Sequence, residues 1–178
     1  MKAILLGAAF CAAACPAFAK SDTIETTGTD VAIALPLIAG GISAAKDDWR
    51  GVAQLFLDTT LTVGTAYGLK YIVPEERPDH SDNKSFPSDT AALAFAPAQY
   101  LWDRYGWQYG LPAYLAAGYV GYSRVESKQH HVWDVGASAG IAFVYSRLIT
   151  TEYRPPRNLE TSLYASPDSA YVTLDYRF

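Results

Sequence analysis

The chain is poor in reactive side chains. Its 178 residues include two cysteines, one methionine and three histidines, and both cysteines, Cys11 and Cys15, fall within the first nineteen positions. Beyond those positions there is no thiol, which excludes a disulfide framework, a cysteine metal site and a cysteine nucleophile. Cationic charge is scarce too. There are 14 Lys and Arg in all, 13 once Lys2 is set aside, against 18 Asp and Glu. Such a chain lacks the basic face that binds nucleic acid, so no nucleic-acid partner is expected. Clean apolar runs of membrane-spanning length are also missing. Asp58, Pro97, Gln99, Asp134, Ser138 and Ser146 interrupt stretches that are otherwise apolar.

What is present begins with an export signal. Lys2 supplies a positive start, Ile4 to Ala14 is apolar, and Ala17-Phe18-Ala19 has the small-x-small pattern of a cleavage site before Lys20. Residues 1–19 are therefore expected to be a signal peptide, which makes the mature chain an exported, periplasmic protein. An N-terminal anchor is the alternative, although the run is shorter than the roughly 20 residues of a span. A lipoprotein cysteine at Cys15 is a second alternative, opposed by Ala12-Ala13-Ala14 before it and Pro16 after it.

Segments 29–45, 48–73, 88–104, 111–124 and 130–150 are rich in Ala, Leu, Ile, Val and aromatics, with Gly, Pro and Asp clusters between them. Their length and pattern predict five helices, packed as an all-α bundle over 20–155. The interruptions favour a compact bundle over a polytopic membrane protein. Segment 74–87 carries Pro74, Pro78 and Pro87 among charged residues and reads as a loop. After Pro155-Pro156 the period changes to two, and Pro167-Asp168 sits between two alternating stretches, so 156–178 is expected to form a β-hairpin. Val172, Leu174, Tyr176 and Phe178 would share one face of it. That face resembles the last strand of an outer-membrane barrel, but two strands leave open edges that lipid does not tolerate. A hairpin packed on its own bundle is the preferred reading. Tyr100, Trp102, Tyr105, Trp107 and Tyr109 suit either the rim of a buried helix turn or a membrane–water interface.

The chemistry is concentrated in one central segment. Lys70 is followed seven residues later by Arg77-Pro78, then come Phe86-Pro87-Ser88, then Ser123-Arg124 with His130 and Asp134. Lys70, Arg77 and Arg124 can donate charge-assisted hydrogen bonds to a tetrahedral oxyanion, and a guanidinium fork matches phosphate bidentately. Pro87-Ser88 before an Ala-rich run reads as a helix start with Ser88 as N-cap, and helix N-termini bind phosphate. His130 and Asp134 stand four apart. On one helix they would share a face, with the carboxylate orienting the imidazole. His131 would lie off that face, in a surface or core role. Each feature alone also has a structural explanation: a solvated cation, a plain cap, a hydrogen-bonded pair.

In their fixed order these stretches resemble the three-part signature of the type 2 phosphatidic acid phosphatase and vanadium haloperoxidase superfamily. The resemblance spans roughly residues 50–150. It implies a helical bundle in which His130 attacks phosphorus to form a phosphohistidine, Asp134 orients it, and Lys70, Arg77, Ser88, the amide of Asp89 and Arg124 hold the phosphoryl group. It implies a phosphate monoester or pyrophosphate substrate, carried by a small molecule or a lipid, contact with a membrane surface, and no metal or other cofactor. One position departs. Where the family has Pro-Ser-Gly-His, this chain has Pro87-Ser88-Asp89-Thr90, and the missing histidine is the family's acid. A threonine hydroxyl is a poor general acid near neutral pH. Asp89 or His80 could supply the proton instead, or a good leaving group could dispense with it. An Asp89 carboxylate beside phosphate would have to turn away, be protonated or pair with a cation. Two rival expectations remain: a binding protein that kept the anion pocket but lost turnover, and a vanadate-dependent haloperoxidase.

Overall fold

The computed structural model describes residues 21–154, 159–166 and 169–176. The expected signal peptide lies outside the described residues. Five helices follow one another: α1 (Ser21–Ala45), α2 (Trp49–Leu69), α3 (Asp89–Tyr105), α4 (Trp107–Glu126) and α5 (Val132–Ile149). The helix α3 is central and packs against the other four. Its alanines make this possible: Ala91, Ala92, Ala94, Ala96 and Ala98 are fully buried, so neighbouring backbones approach closely from several sides. Leu35, Leu55, Tyr100, Leu101 and Val120 fill the remaining core.

Most helix ends are where the sequence puts them. Asp48 caps α2, with Gly51 N–H donating to its Oδ1 at 2.9 Å, and Ser88 caps α3, accepting from Ala91 N–H at 3.3 Å. Gly106 takes φ +87°, a conformation other residues rarely adopt, and joins α3 to α4 without a loop. The first helix is longer than expected, beginning at Ser21 rather than 29. Ser21 to Gly28 is polar and shows no apolar period. Packing holds it instead: a Cβ on Gly28 would lie 1.9 Å from Ser123 Oγ, so α1 and α4 touch there. Helix α5 begins later than expected, at Val132, which leaves His130 in the preceding loop.

Segment 70–88 is an ordered loop that folds back on itself. Glu75 N–H donates to Asn83 O at 3.2 Å, Ser85 N–H to Glu75 O at 2.9 Å, and Arg77 N–H to Asp82 O at 3.0 Å. Within 156–178, strand β1 (Leu159–Ser166) pairs antiparallel with β2 (Ser169–Tyr176), Leu159 opposite Tyr176 and Ser166 opposite Ser169. The expected turn at 167–168 and the terminal Phe178 lie outside the described residues.

The bundle is polar within and apolar without. Ser43, Asp58, Thr62, Ser88, Ser123, Asp134, Ser138 and Ser146 are wholly buried, whereas Leu37, Phe56, Leu115 and Leu148 are each at least 70% exposed. The residues that break the apolar runs therefore face inward. Contrary to the expectation that no apolar run reaches spanning length, α1 from Thr23 to Ala45 is, among the described residues, long and apolar enough to cross a membrane, with mean hydropathy 1.5.

Candidate active site

The site assembles at the N-terminal end of α3, where the loop 70–88, the end of α4 and the start of α5 meet. The His130 amide donates to Arg124 O at 3.2 Å, which folds the chain back after α4. His130 is only 3% exposed. Its Nδ1 lies 2.7 Å from Ser85 O. A carbonyl can only accept, so Nδ1 carries the proton and Nε2 keeps its lone pair. Burial first, then the cations Lys70 and Arg77, push the imidazole down to about 4, against the opposing pull of the Ser85 carbonyl and the Asp134 carboxylate. The ring is thus neutral across the ordinary pH range, the state a nucleophile needs.

The geometry corrects one expectation. Asp134 is in the first turn of α5 and His130 precedes it, so the two are not successive positions on one helix face. Asp134 Oδ2 stands 3.5 Å from His130 Nδ1 and instead accepts from Ser85 Oγ and, at 2.8 Å, from His131 N–H. The carbonyl of Ser85 is what orients His130, while Asp134 fixes Ser85. Sequence reasoning missed Ser85, a fully buried serine whose backbone carries the contact and which no spacing rule singles out.

Lys70 and Arg77 act electrostatically on His130, and the Arg124 carbonyl accepts from its amide. Lys70 caps the end of α2, is nearly buried, donates to Lys84 O at 3.1 Å and meets Asp89 Oδ1 at 3.2 Å. Pairing with a cation is one of the three arrangements required for a carboxylate at position 89. Arg77 Nε donates to Asp82 Oδ1 at 2.8 Å, and its Nη1 donates to the Gln129 side chain. Arg124 is buried, with Nε 3.2 Å from Ser123 Oγ, Nη2 donating to Glu25 O, and the Glu25 carboxylate 4.0 Å away. Ser88 is buried and engaged: its hydroxyl caps α3, and its carbonyl accepts from Ser138 Oγ at 2.7 Å. Thr90 is half-buried in the first turn of α3. His80 stands apart, exposed on the loop with Nδ1 2.6 Å from Glu76 Oε1. His131, in neither expected role, is the N-cap residue of α5; its ring stacks on Trp133 at 4.4 Å.

A neutral buried imidazole under the influence of Lys70 and Arg77, at the end of an all-α bundle, is an arrangement suited to phosphoryl transfer. The comparisons with known proteins agree. No family model matches the chain. It is 33% identical over 139 residues to a lipid A 4'-phosphatase of Helicobacter pylori, a match spanning 72% of this chain and 70% of the relative. Its fold resembles the crystal structure of Aquifex aeolicus LpxE with a TM-score of 0.53 at 19% identity, over 72% of this chain and 90% of that one. The chain belongs to the type 2 phosphatidic acid phosphatase superfamily, and it is a phosphatase of that type.

Proposed function

We propose that this protein is an exported, membrane-attached phosphatase that removes a phosphate monoester or pyrophosphate group from a lipid, through a phosphohistidine on His130. One observation carries the reading: His130 is held neutral with Nδ1–H on the Ser85 carbonyl, which leaves Nε2 as the free nucleophile. In the first step Nε2 attacks phosphorus, the P–O bond to the lipid breaks, and the departing oxygen takes a proton. Water then attacks the phosphohistidine, releasing inorganic phosphate and restoring the imidazole. Lys70, Arg77 and Arg124 offset charge growing on the phosphoryl oxygens. Ser88 and the Asp89 amide, at the N-terminus of α3, take the remaining oxygens.

The lipid substrate is supported by the relative's activity and by the apolar outer faces. Exposed Leu37, Phe56, Leu115 and Leu148 suit a bilayer, and exposed Trp107 suits its interface. The buried serines suit helix–helix packing in lipid. Asp89, tethered to Lys70, is the closest of the expected proton sources to the cations, whereas His80 is occupied at the surface. Detergent-purified protein should release phosphate from nitrophenyl phosphate, phosphatidate, a polyprenyl pyrophosphate or a phosphorylated glucosamine lipid between pH 4 and 8. Bound orthovanadate with no release from any of these would favour the binding-protein reading instead. Thr90→His should raise cleavage of alkyl phosphates by up to about 10²–10⁴, the worth of a positioned acid, while changing nitrophenyl phosphate little.

A further inference from the structure

Next to His130, three side chains unused by the reaction or only partly used converge. His131 Nδ1 lies 3.6 Å from Glu75 Oε1 and 3.6 Å from Asp134 Oδ2. One ligand atom from each of the three falls within 4.8 Å of the others. Nitrogen and oxygen ligands of tetrahedral zinc, about 2.0–2.2 Å from the metal, stand roughly 3.3 Å from one another, so the two His131 separations already approach that spacing, and the two carboxylates, within 4.8 Å, would draw together on an ion. A second observation concerns Asp134 itself. The carboxylate is wholly buried; its Oδ2, the oxygen near His131, already accepts from Ser85 Oγ and His131 N–H, while its Oδ1 has no hydrogen-bond partner. An acceptor in that condition needs a donor or a cation.

The three residues are held in place independently of any metal. Glu75 is fixed by backbone bonds to Asn83 and Ser85, and Trp133 Nε1–H donates to its Oε1 at 2.6 Å. Trp133 also stacks on the His131 ring, and Asp134 is locked in the first turn of α5. Glu75 and His131 remain partly open to solvent, which provides a way in for an ion.

We propose that Glu75, His131 and Asp134 form a zinc-class divalent metal site whose occupancy damps turnover at His130. One imidazole with two carboxylates suits zinc, whereas calcium and magnesium prefer all-oxygen sets. Three protein ligands leave a fourth position for water. The coupling is electrostatic. Asp134 stands 3.5 Å from His130 Nδ1 and favours positive charge on that ring, which grows as Nε2 takes up phosphorus. A dication on the carboxylate cancels that support. The metal is therefore a brake and not a participant. The site stands on geometry alone; its effect on turnover rests on the phosphatase reading.

Cobalt(II) added to EDTA-treated, detergent-solubilised full-length protein should give the visible absorption of a four-coordinate nitrogen and oxygen site, and zinc should abolish it. Glu75→Gln and His131→Gln should each lose that absorption while keeping the wild-type helical circular dichroism. With nitrophenyl phosphate, zinc should slow the wild type severalfold and leave both variants at their EDTA rate. No cobalt absorption in the wild type, or absorption that persists in both variants, would overturn the site. Equal zinc inhibition of all three proteins would overturn the coupling. Binding is read without substrate, so an inert EDTA-treated wild type counts against the phosphatase reading and leaves the site still decided by absorption.

Discussion

Arg104 and Arg124 are buried to the same degree, 4% and 5% exposed, near opposite ends of α3. Arg104 is saturated. Its Nε and Nη2 grip the Asp48 carboxylate in a fork, and its Nη1 reaches Gln54 Oε1 at 3.0 Å and the Thr151 carbonyl. Tyr105 donates to the same carboxylate at 2.7 Å. Burial pushes the Asp48 carboxyl up, but Arg104, Tyr105 and the Gly51 amide outweigh it and hold it below the usual carboxylate range. Arg124 has a carbonyl, a hydroxyl and a carboxylate at the edge of reach. A guanidinium has five donors, so one end of the bundle has used its cation and the other keeps capacity for an incoming anion. The same residue type at the same depth serves structure or chemistry according to what its neighbours leave undone.

The comparison can be broken most decisively at the nucleophile. His130→Ala should bring phosphate release down to background while the protein stays folded, and labelling of quenched turnover should trap phosphate on His130 in the wild type alone. Full activity in the variant would remove the chemistry from this end. The next effect lies at the other end. Arg104→Ala leaves the buried Asp48 carboxylate without its counter-ion, and should cost about 3–5 kcal/mol in denaturant unfolding, with any activity loss following the loss of folded protein. Arg124→Ala should do the reverse, lowering turnover by about 10²–10³ and weakening vanadate inhibition with a smaller change in stability. If the two variants traded these outcomes, the assignment of ends would be inverted.

Acid separates the ends further. His130 titrates near 4 when folded and near 6.5 in an unfolded chain, so the unfolded chain takes the proton first. The stability contributed by the neutral buried ring is complete above pH 6.5 and is lost as pH falls to 4, about 3 kcal/mol in all. Asp48 adds its own loss only below the ordinary carboxylate range. The difference in unfolding free energy between the wild type and His130→Ala, measured from pH 8 to 4, should thus change by about 3 kcal/mol against the wild type as pH falls. The smallest effect is expected at the pair of buried Lys70 with partly exposed Asp89, where Lys70 keeps its bond to the Lys84 carbonyl. Asp89→Asn should change stability by less than about 1 kcal/mol, yet depress alkyl phosphate cleavage more than nitrophenyl phosphate if Asp89 delivers the proton.

Helix number and most helix ends were legible because caps and interruptions have local signatures, as with Ser88 before the alanines, whereas α4 starts at Trp107, directly after Gly106, and not at 111 as expected. The cations, His130 and Asp134 were legible because they are side chains at set spacings. The carbonyl of Ser85 was not, since backbone carries no residue code, and without it the His130–Asp134 pair looked like a direct contact on one helix. The start of α1 was hidden for a different reason. Its polar first two turns are stabilised by tertiary approach to α4, and a periodicity scan sees only what a helix does by itself. The inward placement of Asp58, Ser138 and Ser146 was also concealed: the sequence shows that polar residues break the runs, but not which side of the helix the surroundings prefer.

That approach of α1 to α4 makes the first turns of α1 part of the surroundings of Arg124. Gly28 lies against Ser123, and Glu25 presents both its carbonyl and its carboxylate to Arg124. A chain trimmed to start at 29, where the apolar period begins, would keep every motif residue and lose the surface against which Arg124 is braced. Any tag, cleavage or fusion that disturbs residues 21–28 therefore acts on Arg124, the proposed anion ligand, from roughly a hundred positions away in sequence, and a preparation judged intact by its motifs could still lack that support.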